Sequence, residues 1–262
     1  MAIGIACMVG IRLPTNFNSP YKAASIIDFW RRWHMTLSRF LKDYLYIPLG
    51  GNRKGPVRRY GNLMLTMVLG GLWHGAGWTF VIWGALHGAY LIVNHLWHAL
   101  RRLLGFGVSQ GGLLGRVAGT VLTFLAVLVA WVFFRAESVE GAMNILIGMS
   151  GQYGFNITPA YAKLIASHTI VPSLVDVGVV LSPGLTLMAY LGTLLALVWF
   201  APNSLQIMAR FSPAVDTPPA PGRGFIAWQP SLGYALGCAL LLVVAVLSLS
   251  TETVSDFLYF QF

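Results

Sequence analysis

The residue best placed for chemistry is His74, in "GGLWHGAGW" (residues 70–78), where its neighbours are glycine, tryptophan, leucine and alanine. Ionisable groups at membrane depth are costly and usually face an interior cavity. A neutral imidazole in such a cavity can take the proton of a hydroxyl as it attacks an acyl carbonyl, an effect worth about 10²–10⁴ in rate. The plainer alternative is a structural histidine bonding across helices. The glycines, the flanking Trp73 and Trp78 and the lack of a nearby carboxylate in the sequence favour the catalytic reading.

His34, in "RRWHMTLS", is the second candidate. It is either an ordinary interfacial histidine or a group that binds or orients an acyl donor entering from a basic surface. Arg31, Arg32 and Arg39 suit the phosphates of such a donor, and they suit lipid phosphates equally well. His87, in "WGALHGAY", lies thirteen residues after His74. On one continuous helix that is roughly 20 Å away and on another face, so the pair has no metal-site spacing. A chain that folds back between them could bring them together. His95 and His98 read as an interfacial pair rather than metal ligands, and His168 carries no signal. No phosphate-binding loop or HExxH stretch is present.

The elements that must hold these residues are membrane elements. Hydrophobic residues make up 56% of the 262, charged residues only 10%, and the mean hydropathy is +0.69. Soluble domains carry about 25% charged residues. The net charge of +9 is concentrated early, with Arg31, Arg32, Arg39, Lys42, Arg53, Lys54, Arg58 and Arg59 ahead of a long apolar run. That is a positive-inside pattern beside anionic lipid rather than a nucleic-acid surface. Eight acidic residues, mostly in loops or at span ends, weigh against a proton or cation carrier. Cys7 and Cys238 both sit in apolar segments and suggest neither a disulfide framework nor a metal cluster.

Residues 61–98 are almost continuously apolar. As one helix they would span roughly 57 Å, nearly twice a hydrocarbon core of about 30 Å. The run must break, and "GGLWHGAG" is the place, giving two spans or a re-entrant pair. Irregular backbone at that depth requires protein or a water-filled cavity around it. Before this run, Ser25 and Asp28 make a helix-start pattern and Pro48 a stop. Between them Trp30, Trp33, Leu37, Leu41 and Tyr44 form an aromatic and aliphatic face against a cationic one, which predicts an interfacial helix over about 25–47. Further spans are expected at about 117–134, 184–201 and 231–250, with a short amphipathic helix at 139–149. The region 138–183 and the C-terminus are expected to face outward. The fold class is all-α, a polytopic membrane protein with interfacial and broken or re-entrant helices.

"DFWRRWHMTLSRFLKDYLYIPLGGNR", "GLWHGAGWTFVIWGALHG", "WVFFRA" and the tail "FLYFQF" together resemble the membrane-bound O-acyltransferase (MBOAT) family, in its alginate O-acetylation branch. The resemblance implies a helical ring around a central cavity, with His74 of "LWHG" as the catalytic histidine and His34 at the second polar position. It leaves Arg31, Arg32, Trp73 and His87 as candidate contacts to donor or substrate. It implies no bound cofactor or metal, and an acyl donor that is acetyl-CoA or another acyl thioester. The implied setting is multi-pass in a bacterial inner membrane, among lipids. Extracytoplasmic acetyl-transfer partner proteins and an exported polysaccharide such as alginate would receive the group, and no nucleic acid is involved. The opening "MAIGIACMVGIRLP" resembles an interior stretch of that family, so residues 1–262 are expected to be the C-terminal part of one membrane domain. A channel or carrier component without acyl chemistry, or an inactive fragment, remain the alternatives.

Overall fold

The computed structural model describes residues 2–105, 112–152, 184–215 and 228–251, and all regular structure among them is helical. His168, most of the expected outward region and the "FLYFQF" tail lie outside the described residues. The chain forms two compact units, residues 16–201 and the combination of 1–15 with 202–262.

The larger unit holds the histidines. It begins with a 3₁₀ turn, Pro20–Lys22, and a short helix α2, Ile26–Trp30, whose N-cap Ser25 accepts a hydrogen bond from the Asp28 amide. The predicted helix start is therefore correct, but the predicted continuous helix over 25–47 is not what forms. After α2 the chain turns, and α3 runs Met35–Leu41 before a π-helical turn at Lys42–Tyr46. The interruption is made by the preceding loop. Asn18 N–H donates to the Arg32 carbonyl at 2.9 Å, and Met35 N–H donates to the Asn16 carbonyl at 2.9 Å. Both groups would otherwise enter the i→i−4 ladder of a continuous helix.

Next come α4, Gly55–Leu72, and α5, Trp78–Leu103, joined by the short Gly-rich turn that contains His74. The apolar run therefore breaks where expected, although α4 starts earlier and takes Arg58 and Arg59 into its first turns. The two helices lie against each other through glycine. A Cβ on Gly71 would strike the Phe80 carbonyl, and one on Gly84 would strike the Met67 carbonyl and come within 2.9 Å of Val68 Cα. "GALHG" is thus a small-xxx-small packing surface that lets two backbones meet. Arg59 fastens the same pair with an Nη2 to His95 Nδ1 hydrogen bond of 3.1 Å. Buried Asn62 donates to the Leu49 and Gly51 carbonyls, at 3.1 and 3.2 Å, and so holds the basic loop onto α4.

Helix α6, Gly112–Arg135, packs against α5, and α7, Val139–Met149, packs back on α6. Both match their expected positions. Ser138 caps α7 by accepting from the Gly141 amide. The last helix of this unit, α8, Gly184–Phe200, is anchored at its end. Lys22 Nζ donates to the Ala201 carbonyl at 2.6 Å, and Trp199 Nε1 donates to the Tyr21 carbonyl at 3.2 Å. Among the described residues two helices, α5 and α6, are long and apolar enough to cross a membrane. Their outward side chains, such as Val93, Leu96, Leu114 and Leu122, are apolar and exposed, as a lipid-facing surface requires.

The smaller unit contains α1, Ala2–Met8, a one-turn helix α9, Ser204–Ile207, and the apolar helix α10, Leu232–Thr251. Asn203 and Gln206 form a reciprocal capping box at α9. Cys7 and Cys238 are free thiols. Cys7 Sγ donates to the Pro213 carbonyl at 3.4 Å.

Candidate active site

Two interrupted stretches, the turn before α3 and the turn between α4 and α5, bring His34 and His74 against one indole. The Trp73 ring centroid lies 6.3 Å from that of His34 and 5.0 Å from that of His74. The indole is 62% exposed, whereas His74 is 7% exposed. The pair is close enough that a charge on His34 acts on His74. Sequence spacing alone, forty residues apart, gives no sign of this.

His34 is held in an unusual backbone conformation, φ 42° and ψ 52°, in the left-handed region. Such residues are uncommon outside glycine, although histidine is among the more tolerant, and the strain clusters at functional positions. Its side chain is fixed as well. Nδ1 lies 3.2 Å from Asn16 Oδ1, which also accepts from the Thr36 amide at 3.2 Å and the Thr36 hydroxyl at 2.9 Å. An amide oxygen only accepts, so His34 Nδ1 carries the proton and Nε2 keeps its lone pair. Burial holds the His34 pKa below its ordinary value of 6.5. Asn16 was not anticipated from the sequence, where it is one polar residue of a loop.

Around His74 the walls are aromatic. Its ring centroid is 5.0 Å from Phe134, 5.4 Å from Trp83 and 6.4 Å from Phe80. Phe134 belongs to "WVFFRA", so that stretch and the "LWHG" stretch meet at this histidine, and the first stretch reaches Trp73 beside it through His34. His87 lies behind Trp83, with centroids 4.8 Å apart, and is 0% exposed. His74 and His87 thus both touch Trp83, the first from the turn and the second from one helical turn further along α5. Phe29 stacks on His87 at 6.0 Å, and Trp30 meets it edge-on at 5.1 Å.

The basic candidates differ from one another. Arg32 Nε donates to Asp28 Oδ1 at 2.9 Å, so part of its guanidinium is already engaged. Arg31, at the C-cap of α2, is exposed. His95 is engaged by Arg59. Among the described residues no group of three histidine, cysteine or acidic side chains could hold a metal ion. A separate cavity of about 240 Å³ lies between the 3₁₀ turn, α6 and α8. It is lined by Tyr21, Phe124, Trp131 and leucines and valine of α8, and none of the described histidines lines it.

Comparison with known proteins matches residues 1–134 to the model of the membrane-bound O-acyltransferase family. A Helicobacter pylori protein named peptidoglycan O-acetyltransferase is 52% identical over 157 residues, covering 60% of this chain and 29% of its own length. Proteins named "Probable alginate O-acetylase AlgI" match all of this chain. That of Azotobacter vinelandii is 38% identical and covered over 50% of its length. That of Pseudomonas aeruginosa is 37% identical and covered over 52%. The chain spans about half the length of these alginate relatives, and less of the first.

Proposed function

The chain belongs to the membrane-bound O-acyltransferase family, and from that premise we propose that it supplies the catalytic histidines of a membrane O-acetyltransferase. The observation that carries this reading is that His34 and His74 both touch Trp73, at two backbone interruptions. In the proposed reaction His74 takes the proton of an acceptor hydroxyl. The hydroxyl oxygen bonds to the acyl carbonyl carbon, the carbon–sulfur bond breaks, and the proton passes to the departing thiolate. His34, with Nδ1–H tied to Asn16, offers its Nε2 lone pair to a donor or acceptor N–H or O–H.

The donor in this reading is acetyl-CoA or another acyl thioester, with exposed Arg31 and the free edge of Arg32 available to its phosphates. The acceptor is an exported polysaccharide, as the names of the relatives suggest, reached through extracytoplasmic acetyl-transfer proteins. The setting is the bacterial inner membrane, with several spans. The chain covers about half of the alginate relatives' length, and activity, substrates and partners are proposed for the whole protein. Membranes containing that protein, given a radiolabelled acetyl thioester, should transfer label to polysaccharide or to a partner protein. Passage of an intact solute without acyl turnover would instead indicate a carrier.

A further inference from the structure

The early arginines and lysines form one basic stretch in the sequence, and the fold divides them into two groups. Arg31 and Arg32 sit beside His34, which touches Trp73 at the C-cap of α4. Leu41, next to Lys42, lies against the same end of that helix, where a Cβ on Gly70 would come 3.0 Å from Leu41 Cδ1. Arg58 is twelve residues before Gly70, roughly 18 Å away along the axis of α4. Arg53, Lys54, Arg58 and Arg59 therefore belong to the other end.

Helix α5 brings a further cation to that end. Arg59 Nη2 donates to His95 Nδ1 at 3.1 Å, which sets the antiparallel register of the two helices. Arg102 lies two turns beyond His95 on the same face of α5, which carries it past Arg59 towards the Arg53–Lys54 loop. Arg53, Lys54, Arg58 and Arg102 are exposed. The chain has no aspartate or glutamate between Asp43 and Glu137, and Asp43 lies 3.9 Å from Lys42 Nζ. Charges of one sign thus gather at the base of the hairpin that carries His74, and no acid of that hairpin offsets them. Exposed apolar side chains alternate with these cations in the chain, Val57 beside Arg58 and Leu103 beside Arg102, with Trp97 a turn earlier on α5. Cations interleaved with exposed apolar and aromatic groups at the end of a spanning helix suit the headgroup layer of a bilayer.

We propose that this end of the α4–α5 hairpin is a docking surface for anionic phospholipid headgroups, bound through Arg58, Arg102 and the Arg53–Lys54 loop. The apolar neighbours favour a lipid over an acidic soluble protein. The separation from Trp73 sets this group apart from the arginines offered to the acyl donor. Bound phosphates relieve the repulsion between like charges on the two helices, so the lipid stabilises the hairpin from the end opposite His74. The proposal does not depend on which histidine is the base.

The test uses the full-length protein in nanodiscs of phosphatidylglycerol or of phosphatidylcholine with the same acyl chains, with thermal unfolding followed by tryptophan fluorescence. Wild type should melt about 3 °C or more higher in phosphatidylglycerol, and salt should narrow the gap. An Arg58→Gln, Arg102→Gln double variant should lose at least half of the gap. Lys42→Gln, which removes an exposed cation of the other group, should keep it. Equal melting of wild type in the two lipids, a gap that the double variant keeps in full, or an equal loss in Lys42→Gln would overturn the proposal. So would a double variant that keeps the gap and raises KM for the acyl thioester, since this end would then meet the donor. Lipid retained by wild type purified from an equimolar mixture checks the claim without any variant. Phosphatidylglycerol should be enriched about fivefold, and retention in the bulk ratio contradicts the proposal.

Discussion

Gly84 is the position where one added carbon should report most directly on how the site is supported. A Cβ there would meet the Met67 carbonyl oxygen, Val68 Cα at 2.9 Å and Met67 carbonyl carbon at 3.1 Å. All three are backbone atoms of α4, so no side chain can swing aside. The helices must separate by roughly an ångström, and forced overpacking of this kind costs about 1–3 kcal/mol. For a unit of this size that corresponds to a melting temperature lower by about 2–12 °C. Gly61, on the same helix pair, has nothing within 4 Å of its Cβ position. Gly61→Ala should therefore be neutral or gain up to about 1 kcal/mol from helix propensity. The assay is thermal unfolding of the full-length protein in detergent, followed by intrinsic tryptophan fluorescence, with acetyl transfer measured in parallel. Because Trp83 and His87 flank Gly84, Gly84→Ala should also reduce transfer. A Gly84→Ala protein that melts within a degree of wild type would refute the backbone contact between α4 and α5.

Other predictions concern His34. Asn16→Ala removes the oxygen that orients its Nδ1 and should lower transfer about tenfold or more, part of the 10²–10⁴ that positioned proton-transfer groups contribute; an unchanged rate would show that the tautomer is set elsewhere. His34→Gly relieves a left-handed backbone worth about 1–2 kcal/mol, so it should hold or raise thermal stability while activity falls, and a loss of both would point to a packing role. The His34 ring should titrate below 6.5 by NMR in the folded protein. Since the unfolded chain then takes up the proton first, acid costs stability as pH falls from about 6.5 through the folded value. A folded midpoint at or above 6.5 would contradict the burial.

The sequence marked the break around His74 because helix length and bilayer thickness leave no alternative for residues 61–98, and glycines are the natural place for it. It marked the cap at Ser25 through local side-chain chemistry that needs no tertiary information. The turn at His34 was not legible. Trp30, Trp33, Leu37 and Leu41 keep a helical spacing across it, and the bonds that interrupt the helix come from Asn16 and Asn18 in the preceding loop. The role of "GALHG" as a close-packing surface is carried by its Gly-xxx-Gly spacing. That His74 touches Trp83 was not legible, since the sequence does not fix where the turn lays His74 against α5, whereas Trp83 and His87 are neighbours by helical spacing.

The central claim is that His74 moves the proton in acyl transfer. Replacing it with alanine in the full-length protein, at an expression level matched to wild type, tests this most directly. The account predicts that acetyl transfer falls by at least about 100-fold while the protein remains in the membrane. Polysaccharide acetylation at the wild-type rate, with the His74→Ala protein present at its normal level, would contradict it.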